Sequence, residues 1–358
     1  MTTPITMDAI VLHGVSDLRY EQVPVPDLRP GTVRVGVGFC GVCGSDIPRC
    51  FVKGTYNFPT ICGHEFAGTV EACGDGVKEF AVGDRVTVFP LLWREDHAAC
   101  EAGKYAQSDG YDYLGSRSDG AFSEYVIAPE RNLIRVPDNV SLEEAALTEP
   151  AAVALHAVRR ASLRLGDTIA IFGLGPIGMM VAQWARSMGA LKIALFDILP
   201  GKLQLARDLG YDNVFDSRET DAAEVVNGLT GGRGVHVAIE AAGVPATFVT
   251  ALKVTRRAGR VVMLGNPSAD VTLPASLISQ IMRREVDLFG TWNSDYSVYG
   301  DDDDWRTSLE AMSDGRLDLK PLITHRVPLA KGIDALEMMR TQTEFFAKVL
   351  IHPNAKAE

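Results

Sequence analysis

The chain has 358 residues, 46% of them apolar and 23% charged, enough for an ample core and, by length, for two domains. Its net charge of −11 argues against a phosphate-backbone binder, which needs clustered cations, and no apolar run reaches the length of a membrane span. The first residues, MTTPITMDAIVLHG, carry no basic region followed by an apolar one; without a signal peptide, the six cysteines are expected to be reduced thiols in a cytoplasm.

Residues 1 to about 150 predict a β-rich unit: TVRVGVGF (32–39), AGTVEAC (67–73) and DRVTVF (84–89) alternate apolar and polar positions between Gly, Pro and Asp turns. Within it, FCGVCGSDIPRC (39–50) packs three cysteines into one stretch. The C-x-x-C of Cys40 and Cys43 suits a disulfide, a redox pair or half of a zinc site, and a reducing compartment weakens the first. Farther along, GHEFAG places His64 beside Glu65 between glycines. Cys43 and His64 with a carboxylate, either Glu65 or the Glu149 of LTEPAAVALHA, would supply the three protein ligands that a catalytic zinc requires. Around Leu142 the pattern turns helical, with Ser141 and Glu144 spaced as a capping box.

From Asp167 onward DTIAIF, LKIALFD, VHVAIE and GRVVMLG alternate with amphipathic segments, the pattern of a doubly wound parallel sheet that ends near Gly290. The turn after the first of these strands is G-L-G-P-I-G, with Gly173, Gly175 and Gly178, and the next strand ends in Asp197. A glycine turn between strand and helix, followed by an acidic residue after the second strand, predicts a dinucleotide site with the pyrophosphate at the helix N-terminus. Asp197 would accept hydrogen bonds from the adenosine ribose and repel a 2′-phosphate, and Ile198 and Leu199 supply no arginine to attract one, so NAD is expected over NADP. Pro176, Ile177 and Lys202 complete the cofactor-binding set. In the tail, the acidic run Asp301–Asp304 predicts a solvated loop and IDALEMMRTQ a helix.

G-H-E-x2-G-x5-G-x2-V, C-G-S-D, T-E-P and G-L-G-P-I-G stand in this order across essentially the whole chain, and together they resemble the zinc-dependent medium-chain dehydrogenase/reductase superfamily. The segments CGSDIPR, GHEFAGTV, FPLL, LGSRSDGAFSEY and GTWN look most like its polyol dehydrogenase branch, nearest the galactitol-1-phosphate dehydrogenases and more distantly the sorbitol dehydrogenases. The resemblance implies an α/β protein: a GroES-like β-rich catalytic domain (1–153 and 291–358) and a Rossmann NAD-binding domain (154–290). It implies that Cys43 and His64 bind zinc with Glu149 as third ligand, and that Glu65 stands beside the metal as an exchanging ligand or just outside it. Asp46 would hydrogen-bond the other nitrogen of His64, and Ser45 would take the first step of a proton relay. Cys40, Cys50, Cys62 and Cys73 match no ligand position and are expected to be small buried residues.

Two departures stand out. The four cysteines that hold a structural zinc in many members correspond here to Arg94, His97, Cys100 and Ser108, so one catalytic zinc per chain is expected, with Arg94 pairing to Glu95, Asp96 or Glu101 in place of the second. Pro48 stands where a histidine often ends the relay, and proline carries no proton. The reading is therefore an NAD-dependent oxidation of a secondary alcohol of a polyol or polyol phosphate to a ketose. The alternative is another sugar, a cyclitol or a simple secondary alcohol handled by the same metal and cofactor. Arg49, Lys53 and Arg117 are candidate phosphate contacts, and Trp292 and Asn293 candidate pocket walls. Relatives imply a homodimer or homotetramer, with no nucleic-acid or membrane partner.

Overall fold

A computed structural model describes residues 5–354. The chain divides into two compact units, the first of residues 1–149, 295–315 and 319–358, the second of 150–294 and 316–318. None of the described helices is long and apolar enough to cross a membrane.

The first unit is built on a mainly antiparallel sheet whose central strand, Thr32–Gly41, pairs with Glu65–Cys73, with Tyr125–Pro129 and with Lys348–His352. Alternation along TVRVGV sends Val33, Val35 and Val37 inward, all fully buried, as the period of two requires. They join one core with Ile10, Leu12, Phe66, Val86, Phe122 and Ile351. Each such side chain contributes about 1.5–3 kcal/mol by leaving water. Cys40, Cys50 and Cys62 pack into the same core, whereas Cys73 is half-buried. The expected capping box forms: Ser141 Oγ accepts from the Glu144 amide, and the Glu144 carboxylate accepts from the Ser141 amide and hydroxyl.

Two local expectations need correction. The Asp301–Asp304 run is not a wholly solvated loop, because Asp303 and Asp304 are buried. Asp303 caps the helix Asp304–Ser313 by accepting from the Arg306 amide and pairs with its guanidinium, while Asp304 accepts from the Asp295 amide. Capping and pairing remove the reason for solvation. In the lobe after residue 93, Arg94 does pair with Asp96, but both are exposed and such a pair is worth little. Glu95 instead pairs with Arg131, and the Glu101 side chain lies outside the described set. What packs the lobe is aromatic: Trp93 stacks on Tyr105 with centroids 4.1 Å apart, Phe89 stacks on Tyr296 at 4.5 Å, and Arg131 covers the Trp93 ring at 4.3 Å.

The second unit is a sheet in which all pairings among the described strands are parallel, in the spatial order Val214–Asp216, Lys192–Asp197, Thr168–Phe172, Val235–Glu240, Thr255–Met263, Asp287–Gly290. Helices connect them, and TIAIF is buried at all of its positions, as a strand covered on both faces must be. The strand order reverses at Thr168–Phe172, so the loops after its carboxyl end open the crevice where doubly wound sheets bind ligands.

Candidate metal and dinucleotide sites

The register of three neighbouring strands builds the first site. Glu65, the first residue of its strand, lies opposite Gly41, and Leu350 lies opposite Gly41 on the other side, which brings Lys348 alongside. A Cβ at residue 41 would stand 2.3 Å from Glu65 Oε2, so only glycine leaves room for the carboxylate. In that space Glu65 accepts from Lys348 Nζ at 2.5 Å, and both side chains are buried. One ligand atom from each of Cys43, His64 and Glu65 lies within 4.8 Å of the others.

Glu149, at the start of the helix Thr148–Arg160, is buried beside them and accepts from the Tyr113 hydroxyl at 3.1 Å. Burial, with Glu65 adding to it, pushes the Glu149 carboxyl up to about 7 against the pull of His64 and Lys348. Burial opposes charge on His64, but Asp46, Cys43 and Glu149 outweigh it and push the imidazole up to about 10. A thiol, an imidazole and a carboxyl held this close, with a second buried carboxyl beside them, favour bound positive charge. His64 Nδ1 is itself buried with no hydrogen-bond partner, and the donor set is the soft and borderline mixture that suits zinc.

The geometry orders the carboxylates differently from the resemblance, since Glu65 and not Glu149 groups with Cys43 and His64. The expected hydrogen bond from His64 Nδ1 to Asp46 is not made. Asp46 Oδ1 stands 3.6 Å from Nδ1, because the carboxylate accepts instead from the Cys43 amide at 3.0 Å and from Arg49. Ser45 is exposed, its amide 3.5 Å from Cys43 Sγ, and its hydroxyl does not cap the following turn.

Among the substrate candidates, Arg49 is committed to the fully buried Asp46. Arg117 is sandwiched between Tyr56 and Tyr111, 4.5 and 4.3 Å from their centroids. Trp292 is 60% exposed at the rim of an apolar pocket of about 400 Å³ in the second unit, with Phe248 and Met263. Asn293 has φ 57°, and its side-chain oxygen accepts from the Ser294 amide, the pattern of a turn residue.

The second site is the turn Gly173–Gly178. Gly173 has φ +97°, and a Cβ at Gly178 would meet Gly173 O at 1.9 Å, so the turn closes only without side chains there. Gly175 differs: a Cβ there would meet nothing within 4 Å. That opening lies at the N-terminus of the helix Pro176–Ser187, which has Pro176 in its first turn and free amides for an anion. Ile177 follows in the same turn. Asp197 Oδ2 accepts from the Leu174 amide at 2.7 Å, Oδ1 accepts from Ile198 and Leu199, and Lys202 Nζ is 3.7 Å away. The carboxylate thus ties the two loops together and leaves one acceptor position of about four unused.

Sequence reasoning missed Lys348, Gly41 and Tyr113. Lys348 lies 283 positions from its partner, and nothing in its own segment marks it.

A glycine turn of dinucleotide type, and a half-buried thiol beside a buried imidazole and carboxylate, are the equipment of a metal-assisted dehydrogenase. The family model for an alcohol dehydrogenase GroES-like domain matches residues 29–138, and that for a zinc-binding dehydrogenase matches residues 176–314. Sorbitol dehydrogenase of Bacillus subtilis is 35% identical over 99% of each chain. The crystal structure of galactitol-1-phosphate dehydrogenase from Escherichia coli superimposes with a TM-score of 0.91 at 32% identity, covering 97% of this chain and 100% of that one. A structure described as a zinc-binding dehydrogenase of Sinorhizobium meliloti, bound to NADP, gives 0.89 at 28% identity, covering 98% and 100%. The chain belongs to the zinc-dependent medium-chain dehydrogenase/reductase superfamily, in its polyol dehydrogenase branch.

Proposed function

We propose that the protein oxidises a secondary alcohol of a polyol to a ketose with NAD, the first unit acting as catalytic domain and the second as cofactor domain. The observation that carries this reading is the Cys43, His64 and Glu65 cluster, with Lys348 and Gly41 dedicated to the carboxylate. Zinc held by these three residues would supply the Lewis acidity that makes an alcohol ionisable near neutral pH. Cys43 would bind as thiolate, with the Ser45 amide donating toward its sulfur. Lys348 offsets the Glu65 charge and fixes its Oε2, which would orient the carboxylate that helps hold the metal. Glu149, oriented by Tyr113, would be the second carboxylate able to help hold the metal or to hold a proton. Ser45 would start a proton relay, and Pro48, which carries no proton, would not continue it. NAD supplies the hydride acceptor, and Asp197 favours it over NADP by charge.

Galactitol 1-phosphate is the phosphorylated candidate, because a structural relative carries that substrate in its name. The commitment of Arg49 to Asp46, and the enclosure of Arg117 by two tyrosines, favour the uncharged polyol over its phosphate. The exposed edge strand Asp287–Gly290 is our candidate for pairing in a homodimer, read out by mass in solution. The deciding experiment is reduction of NAD and of NADP against a panel of polyols, their phosphates, cyclitols and simple secondary alcohols. Turnover with none of them would overturn the reading.

A further inference from the structure

On the sheet edge opposite the Gly173–Gly178 turn, at the amino ends of Val235–Glu240 and Thr255–Met263, lies a pocket of about 630 Å³. Arg233, Lys253, Arg256, Arg257 and Arg284 line it together with small and polar residues, and no carboxylate does. In a chain of net charge −11 this concentration of one sign calls for a physical cause.

Part of the cause is local. Three helices end here, Ala222–Thr230, Pro245–Val254 and Ala275–Arg284. Arg233 donates to Thr230 O at 3.1 Å, Arg257 to Arg283 O at 3.2 Å, and Arg284 to Lys253 O and Thr255 O at 3.4 Å. Each helix end carries roughly −0.5 charge, so three of them offset about 1.5 of the five positive charges. The remainder is unmatched, since none of the five residues makes an ion pair with a carboxylate among the described residues. Lys253 and Arg256 make no described side-chain hydrogen bond, and Arg256 Nε is buried without a partner. The neighbouring His236 is held below its ordinary value by burial and then by Arg256, against the pull of Asp167.

We propose that this pocket binds a small oligophosphate anion. Guanidinium forks grip phosphate oxygens in pairs, which water at an ordinary surface arginine does not require. A phosphate group carries roughly −1.5 to −2 at neutral pH, so two linked phosphates match the surplus that the helix ends leave. A single carboxylate or monoanion does not.

The test is titration calorimetry of the full chain with inorganic pyrophosphate in the presence of saturating NADH or NADPH, which occupies the glycine turn. The expected result is one pyrophosphate per chain under these conditions, weakened at least tenfold in Arg256→Gln/Arg284→Gln and weakened by added salt. Loss of all binding heat on adding the dinucleotide, or unchanged affinity in the variant, overturns the proposal. Should that variant fail to fold, Lys253→Gln/Arg257→Gln changes two exposed residues of the same wall and is judged by the same two outcomes.

Discussion

Lys348 Nζ and Glu65 Oε2 meet at 2.5 Å in the core of the first unit, with side chains only 3% and 2% exposed. Removing one member of a buried pair strands the other charge, at about 3–5 kcal/mol. Lys348→Met is therefore expected to lower stability by that amount in urea unfolding, and Glu65→Gln in the same chain to restore part of it. Additive losses would mean that the pair does not couple.

Cys43→Ser should fold with its melting temperature within a few degrees of the parent in the metal-free state and lose its zinc, from about one per chain to near none by elemental analysis. Glu65→Gln should weaken zinc more than Glu149→Gln in competition with a chelator, because Glu65 is the carboxylate grouped with Cys43 and His64. The opposite order would restore Glu149 as the resting ligand. For the parent, affinity should fall as pH is lowered, since bound metal displaces a proton from His64, whose imidazole is pushed up to about 10.

The raised carboxyl of Glu149 carries a sign that can be checked. Its folded value of about 7 exceeds the ordinary 4.5, so the folded metal-free chain holds a proton that the unfolded chain releases. The resulting stability is present below pH 4.5 and lost as pH rises through about 7, roughly 3 kcal/mol across the window. Urea midpoints of zinc-free protein should fall between pH 5 and 7.5, and Glu149→Gln should flatten that slope.

Gly175 and Gly178 should separate binding from folding. Gly175→Ala places its Cβ in open space and should leave the melting temperature unchanged while weakening NADH binding at least tenfold. Gly178→Ala collides with Gly173 O and should lower both. If Gly175→Ala binds NADH as the parent does, the turn is not the pyrophosphate site.

Trp93→Ala should cost about 3–5 kcal/mol, since it removes a buried indole that stacks on Tyr105 and lies under Arg131. If that packing is what holds the lobe, zinc chelation should not release it, and proteolysis near residues 94–108 should rise in Trp93→Ala but not in chelated parent.

Much of this was legible in one dimension because the signals are local. The strands Thr32–Gly41 and Val235–Glu240, the Ser141 capping box and the Gly173–Gly178 turn each depend on a few adjacent residues and their period. Cys43, His64, Glu65 and Glu149 could be named from residue chemistry and resemblance. Their order could not, because it depends on strand register. Only the pairing of Gly41 with Glu65 on one side and Leu350 on the other brings Lys348 to the carboxylate, and only the packed core shows Asp46 hydrogen-bonded to Arg49 and the Cys43 amide, with His64 Nδ1 at 3.6 Å. Likewise, composition marked the acidic run at 301–304 as solvent-facing until a helix cap and an arginine buried half of it. The sequence by itself determined the elements and the chemical inventory, which short-range sterics and hydrophobic period dictate. Which charges face one another was decided by tertiary structure, because partners hundreds of residues apart meet only when the sheet closes.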